Sequence, residues 1–174
     1  MQPWERRLKD LSHLLSACGS TYFDPELFRL NTNQFLQTAR TVTFLIQKAK
    51  NGIPGFAEWY GDEVTRPWAT DGIMTWAKES RNAIEKEGDL DLHSSLSVAL
   101  IFSYLSTEDI VLPCTRSELV GANAKRLLRA ARKQLPSAVS DAAYLKIERR
   151  WVANSLPKHE LVNALTYVYA RLYE

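Results

Sequence analysis

The stretch LHSSLSVALIFSYLSTEDIVLPC, residues 92–114, decides whether the chain reads as purely helical. Its first part, SLSVALIFSYL, can continue a helical pattern. Its β-branched and aromatic content, the turn-forming STED and the short apolar IVL suit a hairpin equally well. Hydrophobic period alone does not separate a buried strand from a helical segment in so short an apolar run. The reading adopted is helix over 93–104, with a short hairpin near 95–112 as the alternative. The fold class is then all-α, a helical bundle with additional C-terminal helices.

Working outward, the signals are predominantly helical. Toward the N-terminus, Pro3 stands at a first-turn position, Trp4, Leu8, Leu11 and Leu15 recur at helical spacing, and Gly19 lies just beyond the end. Asp24 followed by Pro25 predicts the start of a long second helix with Phe35, Ala39, Val42, Ile46 and Ala49 on one face, kinked near Asn31 and ending at Asn51-Gly52. Phe56, Trp59 and Tyr60 then predict a short helix closing over the bundle, with Arg66-Pro67 as its break. Thr70 or Asp71 caps a third long helix that stops at Gly88. Met74, Ala77, Arg81 and Ile84 put an arginine on or beside its apolar stripe.

Beyond Pro113, RSELVGANAKRLLRAARKQL reads as a helix capped by Ser117, and SAVSDAAYLKIERRWVANS as another. PKHELVNALTYVYARLYE reads as a C-terminal helix with Leu161, Leu165, Val168 and Leu172 inward. With no internal repeat, low-complexity tract or linker, the expected organisation is one helical domain over residues 1–174.

Composition sets the bounds. The chain has 174 residues, 45% hydrophobic and 24% charged, so it is long enough to bury a substantial core. The net charge is only +2, but it is unevenly placed. Residues 1–50 carry 7 Lys/Arg against 4 Asp/Glu, residues 51–112 carry 4 against 11, and residues 113–150 carry 9 against 3. Such polarity either attracts an acidic ligand such as RNA or joins two parts of one fold or two subunits. Cys18 and Cys114 form no C-x-x-C pair, MQPWERRLKDL puts charges where a signal peptide would be apolar, and no apolar run approaches a membrane span. A cytoplasmic chain without membrane contact is expected.

The sequence carries no G-x-x-x-x-G-K-[ST], no G-x-G-x-x-G after a strand, no G-x-S-x-G and no H-E-x-x-H. His13, His93 and His159 are dispersed, and surface or helix-end positions explain them better than a metal site. Neither a metal nor a cofactor is expected. Lys125, Arg126, Arg129, Arg132 and Lys133 fall on one helix at spacings that present a cationic ridge. A nucleic-acid phosphate backbone could lie along it, positioned rather than read. A solvated amphipathic helix gives the same pattern.

The segment SRNAIEKEGD, residues 80–89, supplies the most specific motif. Arg81-Asn82 near the end of a long helix, preceded by QFLQTARTVTFLIQKAKNGIPGFAEWY, resembles the higher eukaryotes and prokaryotes nucleotide-binding (HEPN) superfamily over residues 25–92. That family's ribonucleases carry an arginine, a polar residue and a histidine after four to six intervening positions. Here those positions hold Lys86, Glu87 and Gly88. The resemblance implies a HEPN-like bundle that forms a homodimer, with Arg81, Asn82, Lys86 and Glu87 at a composite site. It also implies binding of RNA or nucleotide phosphate, or metal-independent RNA cleavage, in a defence or toxin-antitoxin setting. A guanidinium offers fixed bidentate donors to phosphate, and Glu87 offers a proton acceptor in place of the imidazole. The alternative is a non-catalytic helical module that docks a protein partner. In purely local terms, Arg81 and Glu85 are spaced for an i, i+4 ion pair and Gly88 is an ordinary helix stop.

Overall fold

The computed structural model describes residues 1–101, 110–112, 126, 128, 129, 133 and 144–174. Helix α1 (Pro3–Ser20) opens with Pro3 in its first turn and the Gln2 N–H donating to Glu5 Oε2 at 2.7 Å. Helix α2 (Pro25–Lys48) is capped by Asp24, whose Oδ1 accepts the Leu27 N–H at 3.1 Å. It runs past Asn31 as one long element, and the Asn31 amide donates outward to Thr21 Oγ1 at 3.1 Å. The inward face of α2 is the apolar stripe that its spacing predicts: Phe28, Phe35, Leu36, Ala39 and Val42 are all buried.

After a 3-10 turn at Lys50–Gly52 the chain forms α3 (Phe56–Tyr60), a π-helical turn (Gly61–Thr65) and α4 (Arg66–Thr70). The expected break at Arg66-Pro67 is absent. Pro67 lies near the start of α4, directly after the π turn, in which the Arg66 N–H reaches back five residues to the Gly61 carbonyl. Helix α5 (Gly72–Glu87) starts at Asp71, whose Oδ1 accepts from Ile73 and Met74 N–H at 2.9 and 3.0 Å, and stops at Gly88 with φ of 100°. Burial pushes the Asp71 carboxyl up, but the Tyr167 hydroxyl, donating to Oδ2 at 2.7 Å, and the two N–H groups outweigh it and hold its pKa below the usual range.

The all-α expectation gives way here to a helix-dominated fold with an antiparallel sheet. Strands β1 (Leu92–Ile101), β2 (Ile110–Leu112) and β3 (Tyr144–Ala153) pair in the order β2-β1-β3 among the described residues. The helix expected over 93–104 is β1, and the hairpin alternative is the one formed, with Val98 opposite Leu112 and Leu100 opposite Ile110. The helix expected across 137–155 is also overturned, since its second half is β3.

Alternation governs both long strands. Leu92, Ser94, Leu96 and Val98 share one face with their partners Ala153, Trp151, Arg149 and Ile147, while Ser95, Ser97, Glu148 and Arg150 lie exposed on the other. Of the helix expected after Ser117, Arg126, Leu128, Arg129 and Lys133 are helical; Ser117 and the rest lie outside the described residues. Helix α6 (Leu161–Tyr173) begins later than Pro157, capped by Glu160, whose Oε2 accepts the Asn163 N–H at 3.0 Å. Leu161, Leu165 and Val168 are buried as its spacing predicts, and Leu172 is partly buried against them.

Helices α1, α2, α5 and α6 enclose the core, and the sheet docks onto it through aromatic side chains. Trp151 of β3 stacks on Phe28 of α2 at 4.7 Å and 21°, and its indole N–H donates to the Tyr22 carbonyl at 2.8 Å. The Tyr22 hydroxyl shares its proton between the Arg149 carbonyl at 2.8 Å and Glu160 Oε1 at 3.0 Å. Burial and the Glu160 carboxylate push its pKa up to about 12. Trp76 of α5 adds a bond from its indole N–H to Ser155 Oγ at 3.0 Å.

Candidate functional site

Two clefts among the described helices differ in chemistry. The first contains the arginine singled out in the sequence. Arg7, Gln34, Thr38, Thr41, Arg81 and Glu85 line a polar hollow of about 380 Å³ beside α2 and α5. Arg81 sits on the edge of the α5 apolar stripe: Met74, Ala77 and Ile84 are buried while the arginine side chain keeps 30% of its exposure. One nitrogen of its guanidinium is bonded within its own helix. Nη1 pairs with Glu85 Oε2 at 2.5 Å, the i, i+4 contact that the spacing predicts, and donates to Asn82 Oδ1 at 3.2 Å. Lys86 and Glu87 are exposed in the last turn, and the described bond among the four motif residues is the one between Arg81 and Asn82. Of the proposed ridge, Arg126, Arg129 and Lys133 are exposed and helical; Lys125 and Arg132 lie outside the described residues.

The second cleft was not legible as a site in the sequence. Helix α2 contributes Leu36, Ala39, Arg40, Thr43 and Gln47 at spacings of three and four, which places them on one face. Opposite them stand Met74, Ala77, Lys78 and Glu79 of α5, with Val168 and Leu172 of α6 at the base. The segment from α3 to α4 closes the fourth side with Tyr60, Val64, Trp68 and Ala69. The groove has a volume of about 480 Å³.

The groove floor is apolar and buried. Leu36, Ala39, Met74, Ala77 and Val168 each keep less than a tenth of their exposure. Polar groups stand around it: the Gln47 amide donates to Tyr60 Oη at 2.7 Å, and Arg40 Nη1 donates to Thr43 Oγ1 at 3.0 Å. The expected aromatic closure is visible here, since Phe56 stacks on Tyr60 at 5.0 Å and 20° and Tyr60 reaches α2 through Gln47. The small side chains are the trace that the groove leaves in the sequence, too weak on its own to mark a site. Alanines at 39 and 77, inside otherwise bulky stripes, leave space where two helices face each other.

The described cysteine and histidines stand outside the linings of both clefts. Burial raises the Cys18 thiol to about 11, against a weaker opposing hydrogen bond with Thr32, so it is protonated and shielded at neutral pH. Cys114 lies outside the described residues. His13, His93 and His159 are all exposed, and no group of three or more His, Cys, Asp or Glu among the described residues could hold a metal ion. No described helix is long and apolar enough to cross a membrane.

A protein-family model described as "Bacteriophage lambda protein ea47" matches residues 1–174. A curated relative, "Protein ea47" of Escherichia phage lambda, is 55% identical over 172 residues, covering 99% of this chain and 42% of its own length. The chain therefore belongs to the phage lambda Ea47 family and spans less than half the length of that relative. No solved structure matches. This finding overturns the HEPN resemblance, and with it the RNA-binding and ribonuclease reading and the defence or toxin-antitoxin setting. An arginine and a polar residue near a helix end are common helix chemistry, and without the histidine they do not define that family. The interaction-module alternative receives no support from the match either.

Proposed function

We propose that this Ea47-family chain is a ligand-binding domain whose groove between α2, α3–α4, α5 and α6 receives a small, mostly apolar molecule. The observation that carries this reading is the combination of a buried apolar floor, a few polar groups around it and a volume of about 480 Å³. Ligand pockets typically fall in the range of roughly 300–1,000 Å³ and pair apolar walls with a small number of placed polar groups. The Arg81 hollow lacks such a floor, and its arginine is already occupied by Glu85.

The flanking segment supports the same reading. No residue of α3, the π turn or α4 is buried, so the wall they form can separate from the groove without exposing core. Single π turns inside helical segments recur at functional sites. The test uses N-phenyl-1-naphthylamine, a neutral dye that fluoresces in apolar surroundings. We expect saturable enhancement with the wild-type chain. Val64→Trp, which fills the groove from its half-buried wall position, should lower dye affinity by about tenfold or more, as expected when a site sized for an apolar ligand is blocked. Circular dichroism checks that the variant is folded. Absence of enhancement, or undiminished binding by folded Val64→Trp, would remove this reading.

A further inference from the structure

We infer that the occupant of this groove is a monocarboxylate with an apolar body, its head group held by Arg40; this rests on the ligand-binding reading above. Arg40 differs from most of the arginines beside the helices, and Arg6, which likewise has no ion pair among the described residues, is exposed and lies outside this groove. Arg7, Arg29, Arg66, Arg81 and Arg171 each hold a carboxylate, at Asp10, Glu26 and Asp89, Asp62, Glu85 and Glu174 respectively. Among the described residues Arg40 has no ion-pair partner, although it is half-buried and lines the groove.

Its one side-chain hydrogen bond goes to Thr43 Oγ1, whose own proton is donated to the Arg40 carbonyl at 2.9 Å. The hydroxyl thus fixes one edge of the guanidinium and leaves most of its five donors unused. A planar fork of N–H groups beside an apolar floor fits a carboxylate that carries a hydrocarbon body, because the two oxygens can take parallel N–H bonds while the body covers the floor.

The charge around the groove narrows the head group further. Arg40 and Lys78 stand against Glu79, leaving one net positive charge among the lining side chains. A single negative charge is matched by that balance. A doubly charged head would meet Glu79 with charge left over, and an amine would face two cations against one carboxylate. Tyr60 is a less suitable partner for the same head. It stands beside Gln47, two turns along α2 from Arg40, which is roughly 10 Å at the rise of an α-helix.

The test displaces the bound dye with octanoate, octan-1-ol and octylamine, which share a body and differ in the head. At neutral pH octanoate should compete at about tenfold lower concentration than the alcohol, the effect of one charge-assisted contact at a partly exposed site, and the amine should be weakest. Arg40→Gln should abolish the preference for octanoate over octan-1-ol, read as the ratio of the two competing concentrations within the same variant. Arg40→Lys, which keeps the charge but loses the fork, should retain part of it and serves as the second variant if the glutamine form fails to fold. Equal competition by acid and alcohol, or a preference that survives both substitutions, overturns the carboxylate assignment while dye binding still stands. If the dye does not bind and calorimetry with octanoate is also silent, both readings fall.

Discussion

The seam between α1 and α2 and the seam between the sheet and the helices are closed by different means. At the first, Leu11 and Cys18 of α1 and Phe35 of α2 are fully buried, and attraction is spread over many apolar contacts. At the second, a few side chains make directed bonds: the Trp151 indole to the Tyr22 carbonyl, the Tyr22 hydroxyl to Arg149 and Glu160, and the Trp76 indole to Ser155. Arg149 itself is buried on the core face of β3, donating to Ser94 Oγ at 3.1 Å with its guanidinium 5.4 Å from the centre of the Trp151 ring. An apolar seam tolerates small shifts of its neighbours. A bonded seam depends on individual atoms.

The largest effect should come from the apolar seam. Phe35→Ala leaves a cavity at a position with no exposure, and a loss of about 3–5 kcal/mol is expected, read as a fall in Tm of about 10 °C or more. A change under about 1 kcal/mol would mean that α1 and α2 collapse to fill the space, and the contrast with the bonded seam would weaken.

Tyr22→Phe should cost less, about 1–2 kcal/mol by urea unfolding, because it removes one shared proton and leaves two acceptors poorly satisfied. It also sharpens the contrast through pH. The folded-state pKa of Tyr22 is raised from 10.0 to about 12, so its contribution is fully present below 10 and lost as pH rises toward 12. Wild type should therefore lose more stability than Tyr22→Phe across that interval. Parallel pH curves would show that the hydroxyl is not a fastening of the sheet.

The smallest effect is expected at Arg81. Its pair with Glu85 is half-exposed at Arg81 and exposed at Glu85, at 30% and 47%, and pairs open to water contribute about 0–1 kcal/mol. Arg81→Ala should shift the unfolding midpoint by no more than that in a thermal melt. A loss above about 2 kcal/mol would place Arg81 with the bonded seam instead of on the surface.

The same contrast explains what was legible in the sequence. Apolar seams write a period: Leu161, Leu165 and Val168, or Phe35, Ala39 and Val42, recur at helical spacing, and Asp24, Asp71 and Gly88 mark ends that the structure places at or beside those residues. The bonded seam writes no such pattern. In YLKIERRWVA the inward positions are Leu145, Ile147, Arg149, Trp151 and Ala153, so a cation interrupts the alternation that would have announced a strand. In β1 the inward set includes Ser94, while Val98, Ile101, Phe102 and Leu105 also satisfy a helical period. Partners distant in sequence decided both cases, since each strand is paired with the other. The groove was hidden for a related reason: its four walls come from separate parts of the chain, and only their packing brings Arg40 near Lys78 and Val168.

The segment from Lys50 to Thr70 has a consequence for how motion is distributed. None of its residues is buried, its described ties to the body include the Gln47–Tyr60 bond and packing of α4 on α5, and it contains the left-handed Gly55 at φ 67°. Its amides should therefore exchange with solvent through local openings far smaller than unfolding, while those of α2, on the opposite wall of the same groove, wait for the core to break. One cavity is thus bounded by a slowly exchanging wall and a rapidly exchanging one. Entry and exit through the fast wall would leave the registration of the floor unchanged.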